Sequence, residues 1–134
     1  MVQMRMVIDT NVLLAVALDE PEKTPLIRAT QGVELISPNV LPYEVGNALS
    51  ALVKRKVIKA AQAMAAWDVI GNIRIGLLEV EIRAALELAV RHGIYAYDGY
   101  FLQSAIQSGC PLLTLDRRMR RVAEELEVKI VEPI

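Results

Sequence analysis

Four acidic residues, Asp9, Glu44, Asp98 and Asp116, stand at strand-to-helix or loop-to-helix junctions. Each has an ordinary explanation, because Asp caps helix N-termini and an acid in the first turn suits the helix dipole. Four carboxylates gathered at one end of a fold are a different matter, since they repel one another unless a cation neutralises them. No Lys or Arg lies within two residues of Asp9, Glu44 or Asp98. A hard divalent cation, Mg2+ or Mn2+, fits that gap: it takes oxygen ligands and leaves positions open for water and phosphate oxygens. Asn11, two residues after Asp9, and Thr114, two before Asp116 and on the same face of its strand, add neutral polar groups to the same space.

Other chemistries lack their parts. A single Cys and a single His cannot build a zinc cluster, and the chain has no Ser-His-Asp set, no Walker-type loop and no GxGxxG. No side-chain nucleophile is evident.

The elements that must position the acids follow from the apolar pattern. Met4 to Ile8, Glu34 to Ile36, Ile75 to Val80, Pro111 to Leu115 and Val128 to Val131 read as strands, the first and fourth as buried ones. Between them lie helical segments. Asn11 to Leu18 is apolar nearly throughout, and Glu22 to Thr30 ends at Gly32. Pro42 opens a helix whose stripe is Val45, Leu49, Leu52 and Val53. Lys59 to Ile70, Arg83 to His92 and Phe101 to Ser108 each end at or near a glycine, and Met119, Val122, Ala123 and Leu126 mark a last apolar face. Alternating strands and helices imply right-handed crossovers, hence an α/β fold with a central parallel sheet flanked by helices in three layers. The 134 residues suffice for one domain, 1–134. In such folds chemistry collects at the carboxyl ends of the strands. Asp9 and Asp116 follow the first and fourth strands, Glu44 falls in the first turn after the second, and Asp98 is expected just ahead of a helix beginning near Gly99.

These segments resemble a known family. Val7-Ile8-Asp9-Thr10-Asn11-Val12-Leu13-Leu14 resembles the opening strand of PIN-domain nucleases, and Pro42-Tyr43-Glu44-Val45-Gly46-Asn47-Ala48-Leu49 their second acidic motif. Tyr97-Asp98-Gly99-Tyr100-Phe101-Leu102-Gln103-Ser104-Ala105 is similar to the third, and Leu112-Leu113-Thr114-Leu115-Asp116-Arg117-Arg118-Met119 to the Thr-x-Asp motif near the C-terminus. Any one motif is weak, but all four occur in order across almost the whole chain. The subfamily most resembled is that of VapC-type toxins of prokaryotic toxin–antitoxin pairs. Gly99, where the family commonly has Ala, is a small departure from the pattern. The resemblance implies a PIN-like fold and a metal-dependent endoribonuclease in which Asp9, Glu44, Asp98 and Asp116 hold one or two Mg2+ or Mn2+ ions, directly or through waters. It implies that Thr114 and Asn11 orient the acids or the waters. It also implies a homodimer and a cognate antitoxin bound across a groove near the active site, with the helix from Glu44 to Val53 involved.

Candidates for holding RNA lie beside the acids. Arg117, Arg118, Arg120 and Arg121 follow Asp116. Arg120–Glu124 and Arg121–Glu125 are expected as i,i+4 pairs, which leaves Arg117 and Arg118 to meet phosphates. Lys54-Arg55-Lys56 with Lys59 reads as a solvated helix end. Five of the six aromatic residues, Tyr43, Tyr95, Tyr97, Tyr100 and Phe101, fall within three residues of Glu44 or Asp98. Phe101 is expected in the core, whereas Tyr97 and Tyr100 are candidates for stacking on unpaired bases. His92 is expected to bond helix-end carbonyls, Cys110 to be inert, and Trp67 to anchor packing or a subunit contact.

Composition bounds the setting. Hydrophobic residues make up 54%, more than one small core requires, and the surplus lies in the helices of residues 45–70, where a partner surface is expected. The lone Cys, the absence of a leader-like run in Met1-Val2-Gln3-Met4-Arg5, and the Gln, Ser, Gly and Pro that interrupt the uncharged stretch from Gly99 to Leu115 lead us to expect a cytoplasmic protein without a membrane span. A net charge of −1 argues against a nucleic-acid binder at face value. With the four acids neutralised by metal, however, 15 basic residues stand against the 16 acidic ones less those four. Two rivals keep parts of this picture. One is an RNA-processing PIN nuclease without an antitoxin. The other is a receiver-like module, which also gathers acids and Mg2+ at strand ends but shows adjacent acids at its first strand and a Lys after its last.

Overall fold

The structure, a computed structural model, describes residues 4–133. Residues 1–3, part of the segment in which no leader is expected, lie outside the described residues. Four parallel strands, β1 (Arg5–Ile8), β2 (Glu34–Pro38), β3 (Ile75–Leu78) and β4 (Leu112–Leu113), form one sheet in the order β3-β2-β1-β4. Seven helices stand among the described residues: α1 (Thr10–Ala17), α2 (Lys23–Thr30), α3 (Leu41–Lys54), α4 (Ala60–Gly71), α5 (Ile82–His92), α6 (Ala96–Ser108) and α7 (Arg117–Glu125). Among the described residues no helix is long and apolar enough to cross a membrane.

The sheet order decides where a site can form. From β1 the chain steps outward through β2 to β3, then returns past β1 to β4. Right-handed crossovers put α1 to α4 on one face and bring α5 and α6 back across the other. Accordingly α6 packs on β1, β2 and β4 with α5 against it, while α1, α2, α3 and α4 pack among themselves. The direction of winding reverses between β1 and β4, which opens a crevice beyond their carboxyl ends. A receiver-type sheet places β1 between β2 and β3; here it lies between β2 and β4. Both faces of β1 are covered, so Met6, Val7 and Ile8 are buried, as the unbroken apolar run requires.

Several boundaries differ from the sequence expectation, each for a visible reason. β3 stops at Leu78 rather than Val80, because Gln107 of α6 takes the next backbone groups: its Nε2 donates to the Glu79 carbonyl at 2.8 Å, and its Oε1 accepts from the Glu81 N–H at 3.2 Å. β4 is two residues long, and the Leu115 N–H beyond it bonds to the Asn11 side chain instead of continuing the ladder. The strand expected at Val128–Val131 is a single parallel bridge between Ile130 and Leu112. Helix α6 begins at Ala96, so Asp98 lies inside its first turn and not ahead of it. Tyr95, Tyr97, Gly99 and Tyr100 are weak helix formers, and they hide the helix start from a periodicity reading.

Gly99 matters more than its departure from the family pattern suggests. A Cβ added there would stand 2.8 Å from the Ala85 carbonyl oxygen and 3.3 Å from the Ala89 Cβ, so the missing methyl lets α6 lie close on α5. Gly99→Ala should push the two helices apart and cost about 1–3 kcal/mol, read as a lower urea midpoint. An unchanged midpoint would show that the contact relaxes freely.

Candidate active site

The crevice between β1 and β4 is a cleft of about 360 Å³ lined by Asp9, Asn11, Glu44, Asp98 and Asp116, with Tyr97 at its side. Strand register builds its floor. Pairing Ile8 with Leu113 places Asp9 level with Thr114, and the Thr114 Oγ1 donates to Asp9 Oδ2 at 2.7 Å. The same Oγ1 accepts from the Asp116 N–H at 3.1 Å and from Asn11 Nδ2 at 3.3 Å. Asn11 Nδ2 also donates to Asp9 Oδ2 at 3.1 Å, and Asn11 Oδ1 accepts from the Leu115 N–H at 3.1 Å. One amide thus staples the start of α1 to the segment leaving β4. Thr114 is buried and does not line the cleft; it holds Asp9 from behind.

The capping explanation of the acids is also true of two of them. Asp9 Oδ1 accepts from the Thr10 N–H at 2.8 Å and caps α1, and Asp116 Oδ1 accepts from the Arg118 and Met119 N–H groups at 2.8 and 3.1 Å and caps α7. Their other carboxylate oxygens take no part in capping. A residue that sequence reasoning passed over completes the set: Thr10 Oγ1 donates to Glu44 Oε2 at 3.0 Å, tying α1 to α3. Its signal was its place between two site residues, but Ser and Thr are so common at helix starts that the position alone says little.

Electrostatics sets Asp9, Glu44 and Asp98 apart from ordinary surface acids. Burial pushes Asp9 from 3.8 up to about 7, against the opposing hydrogen bonds from Thr114 and Thr10, and the charges of Glu44 and Asp98 push the same way. Glu44 is raised by burial and then by Asp98, with Thr10 opposing. Asp98 is raised by burial and then by Asp116, with the Arg118 guanidinium opposing. The carboxylates therefore sense one another, and an all-oxygen donor set of this charge suits a hard cation. Among the described residues, no three acidic, His or Cys side chains already stand as a ready ligand cage. Two of the four carboxylates also hold helix caps.

The basic candidates fall outside the cleft lining. Arg118 is exposed and acts on Asp98 through its charge; Arg117 is exposed on the same helix start. The expected i,i+4 pairs on α7 do not form: Arg120 pairs with Glu132 of the C-terminal segment, and Glu125 meets His92 Nδ1 at 3.0 Å. The reason is tertiary, since the chain end and the end of α5 bring those partners to α7. His92 thus bonds a side chain, not helix-end carbonyls. Tyr97 lines the cleft, while Tyr100 lines a neighbouring depression together with Tyr43. Phe101 is in the core as expected, and burial pushes the Cys110 thiol up.

Comparison with known proteins finds the same fold. Residues 6–125 match the PIN domain family. Ribonuclease VapC3 of Pyrobaculum aerophilum is 27% identical over 121 residues, covering 87% of this chain and 92% of that protein. The structure resembles PAE2754 from the same organism, with a TM-score of 0.68, 24% identity and coverage of 89% of this chain and 86% of that one. It also resembles VapBC2 of Rickettsia felis, solved bound to a DNA fragment from its promoter, with a TM-score of 0.66, 17% identity and coverage of 96% and 98%. FitAcB of Neisseria gonorrhoeae follows with a TM-score of 0.62, 18% identity and coverage of 96% and 97%. The match spans nearly the whole chain and includes all four acidic positions: the protein belongs to the PIN-domain family.

Proposed function

We propose that the protein is a metal-dependent endoribonuclease, the VapC-type toxin of a toxin–antitoxin pair. The observation that carries this reading is the cleft itself, where Asp9, Glu44, Asp98 and Asp116 meet at the winding reversal with too little positive charge around them. The PIN-domain match and the likeness to Ribonuclease VapC3 support it. The four acids are the oxygen donors for Mg2+ or Mn2+, which keeps several of its waters and so does not need every carboxylate at once. A divalent ion bound there supplies charge neutralisation at the phosphodiester and a more acidic water. Around it the chain's own residues set geometry. Thr114 and Asn11 fix the Asp9 carboxylate, Thr10 fixes Glu44, and the exposed Arg117 and Arg118, the latter felt by Asp98, are the side chains we assign to the RNA phosphates. Cellular RNA incubated with the protein should be cut with Mg2+ or Mn2+ and left whole with EDTA. Cutting that EDTA does not stop would overturn the metal assignment.

The partners follow from the surface. Leu49 and Val53 of α3 and Met64 and Trp67 of α4 line an apolar groove of about 510 Å³, and Met64 is 64% exposed. In our reading an antitoxin segment lies along α3 there, and the chain works as a homodimer in the cytoplasm. Sedimentation at micromolar concentration should give twice the mass of 14.8 kDa; a monomer would sink the dimer.

A further inference from the structure

Beside the cleft lies a second depression of about 680 Å³, lined by Asn39, Tyr43, Glu79 and Tyr100 among others. Tyr43 lines both spaces, so an RNA strand crossing the cleft would present its next base to this depression. Among the described residues no Lys or Arg lines it, which does not suit a phosphate. What it offers is aromatic rings and neutral or acceptor groups. Among the described residues Glu79 has no ion-pair partner.

The walls are held in place. Gln107 clamps the backbone on both sides of Val80, taking the Glu79 carbonyl and the Glu81 N–H. The Asn39 N–H donates to the Leu78 carbonyl at 2.8 Å, tying the turn after β2 to the end of β3. Tyr100 meets Tyr97 edge to face with centroids 5.9 Å apart, which braces its ring. The backbone that carries the exposed Glu79 side chain is thus fixed, and from it the carboxylate can be offered to an unpaired base.

Resting on the ribonuclease reading above, we propose that this depression receives an unpaired guanine next to the scissile phosphodiester, with Glu79 reading its edge. Guanine alone among the four bases carries two adjacent N–H donors on its Watson–Crick edge. A carboxylate accepts both in parallel, in the manner of other bidentate charge-assisted pairs. Adenine, cytosine and uracil each set a lone-pair acceptor against the carboxylate. Tyr43, which is 79% exposed, and Tyr100 supply ring faces and edges for contact with the base, and Asn39 is a donor for the guanine oxygen. Gln107 is a positioning residue, acting through the strap it holds.

The test measures binding rather than cutting. Labelled five-nucleotide RNAs, UUNUU with each base at the centre, are titrated by fluorescence anisotropy in EDTA against the Asp98→Asn protein, which lacks one of the repelling acids. The guanine oligomer should bind about tenfold tighter than the other three. Adding Glu79→Gln should bring all four within about threefold, by weakening guanine alone. Equal affinities for the four, or a guanine preference that survives Glu79→Gln, overturn the proposal. Cutting of cellular RNA by the wild type is read separately, so a failed base site and a failed ribonuclease reading leave different records.

Discussion

Asp98→Asn is expected to lower RNA cleavage by about 100-fold or more while the protein folds as before. The change removes one carboxylate charge from the proposed metal donors and almost nothing else. Asp98 is half-buried in the first turn of α6, and Asn fills the same volume. The helix loses a favourable charge at its N-terminus, worth a few tenths of a kcal/mol. Against that, the repulsion from Asp116 that helps raise Asp98 is relieved. The two effects are small and opposite, so stability should barely move. Activity should move a great deal, because a hard cation binds through charge and oxygen count, and an amide supplies less of both. Raising Mg2+ should recover part of the rate if the loss is in metal affinity. Arg118→Ala is the contrasting change: it removes a cation near Asp98 without touching a donor, and it should weaken RNA binding more than it slows turnover. An Asp98→Asn protein that cuts at the wild-type rate would remove Asp98 from the site.

How much of this was legible in the sequence depends on which residues are asked about. Asp9 and Asp116 were readable because apolar strands end at them, and Glu44 because it falls in the first helical turn after the second strand, where parallel sheets gather chemistry. Asp98 was readable as an acid but not in its setting, since Tyr95, Tyr97 and Tyr100 mask the start of α6. The sheet order was not readable at all. Only the pairing of β4 with β1 brings Thr114 against Asp9, and that contact spans 105 positions of sequence. Thr10 and Gln107 illustrate the same limit on a smaller scale. Each is an unremarkable polar residue whose partner, Glu44 or the strap after β3, is set by tertiary packing and by no local pattern. Gly99 could be seen as a departure from the family pattern, but the carbonyl it accommodates belongs to another helix.

The second large effect is a pH dependence that separates wild type from Asp9→Asn. In the folded protein Asp9 keeps its proton up to about pH 7, whereas the unfolded chain releases it near the model-peptide value of 3.8. Between those two values the native state binds a proton that the unfolded state does not, so stability falls as pH rises through the interval. The Asp9 contribution is fully present below about pH 4 and gone above about pH 7. At 1.36 kcal/mol per pH unit the interval sets a ceiling of about 4 kcal/mol. Glu44 and Asp98 are raised as well and add in the same direction. Burial wins here against the hydrogen bonds: Thr114, Thr10 and Asn11 all donate to the ionised form, yet a nearly enclosed carboxylate beside two others is still held up. Asn at position 9 does not titrate. It also upsets the Thr114 bond, but that cost is the same at every pH and cancels in the slope. Urea unfolding in EDTA should therefore show wild type losing about 2–4 kcal/mol relative to Asp9→Asn between about pH 4.5 and pH 8. With saturating Mg2+ the loss should shrink, because a cation that binds only the folded state stabilises it by mass action and does so best when the acids are ionised. Parallel curves for the two proteins in EDTA would mean that Asp9 ionises in the fold as it does in the open chain, and the case for a buried, cation-seeking carboxylate would go with it.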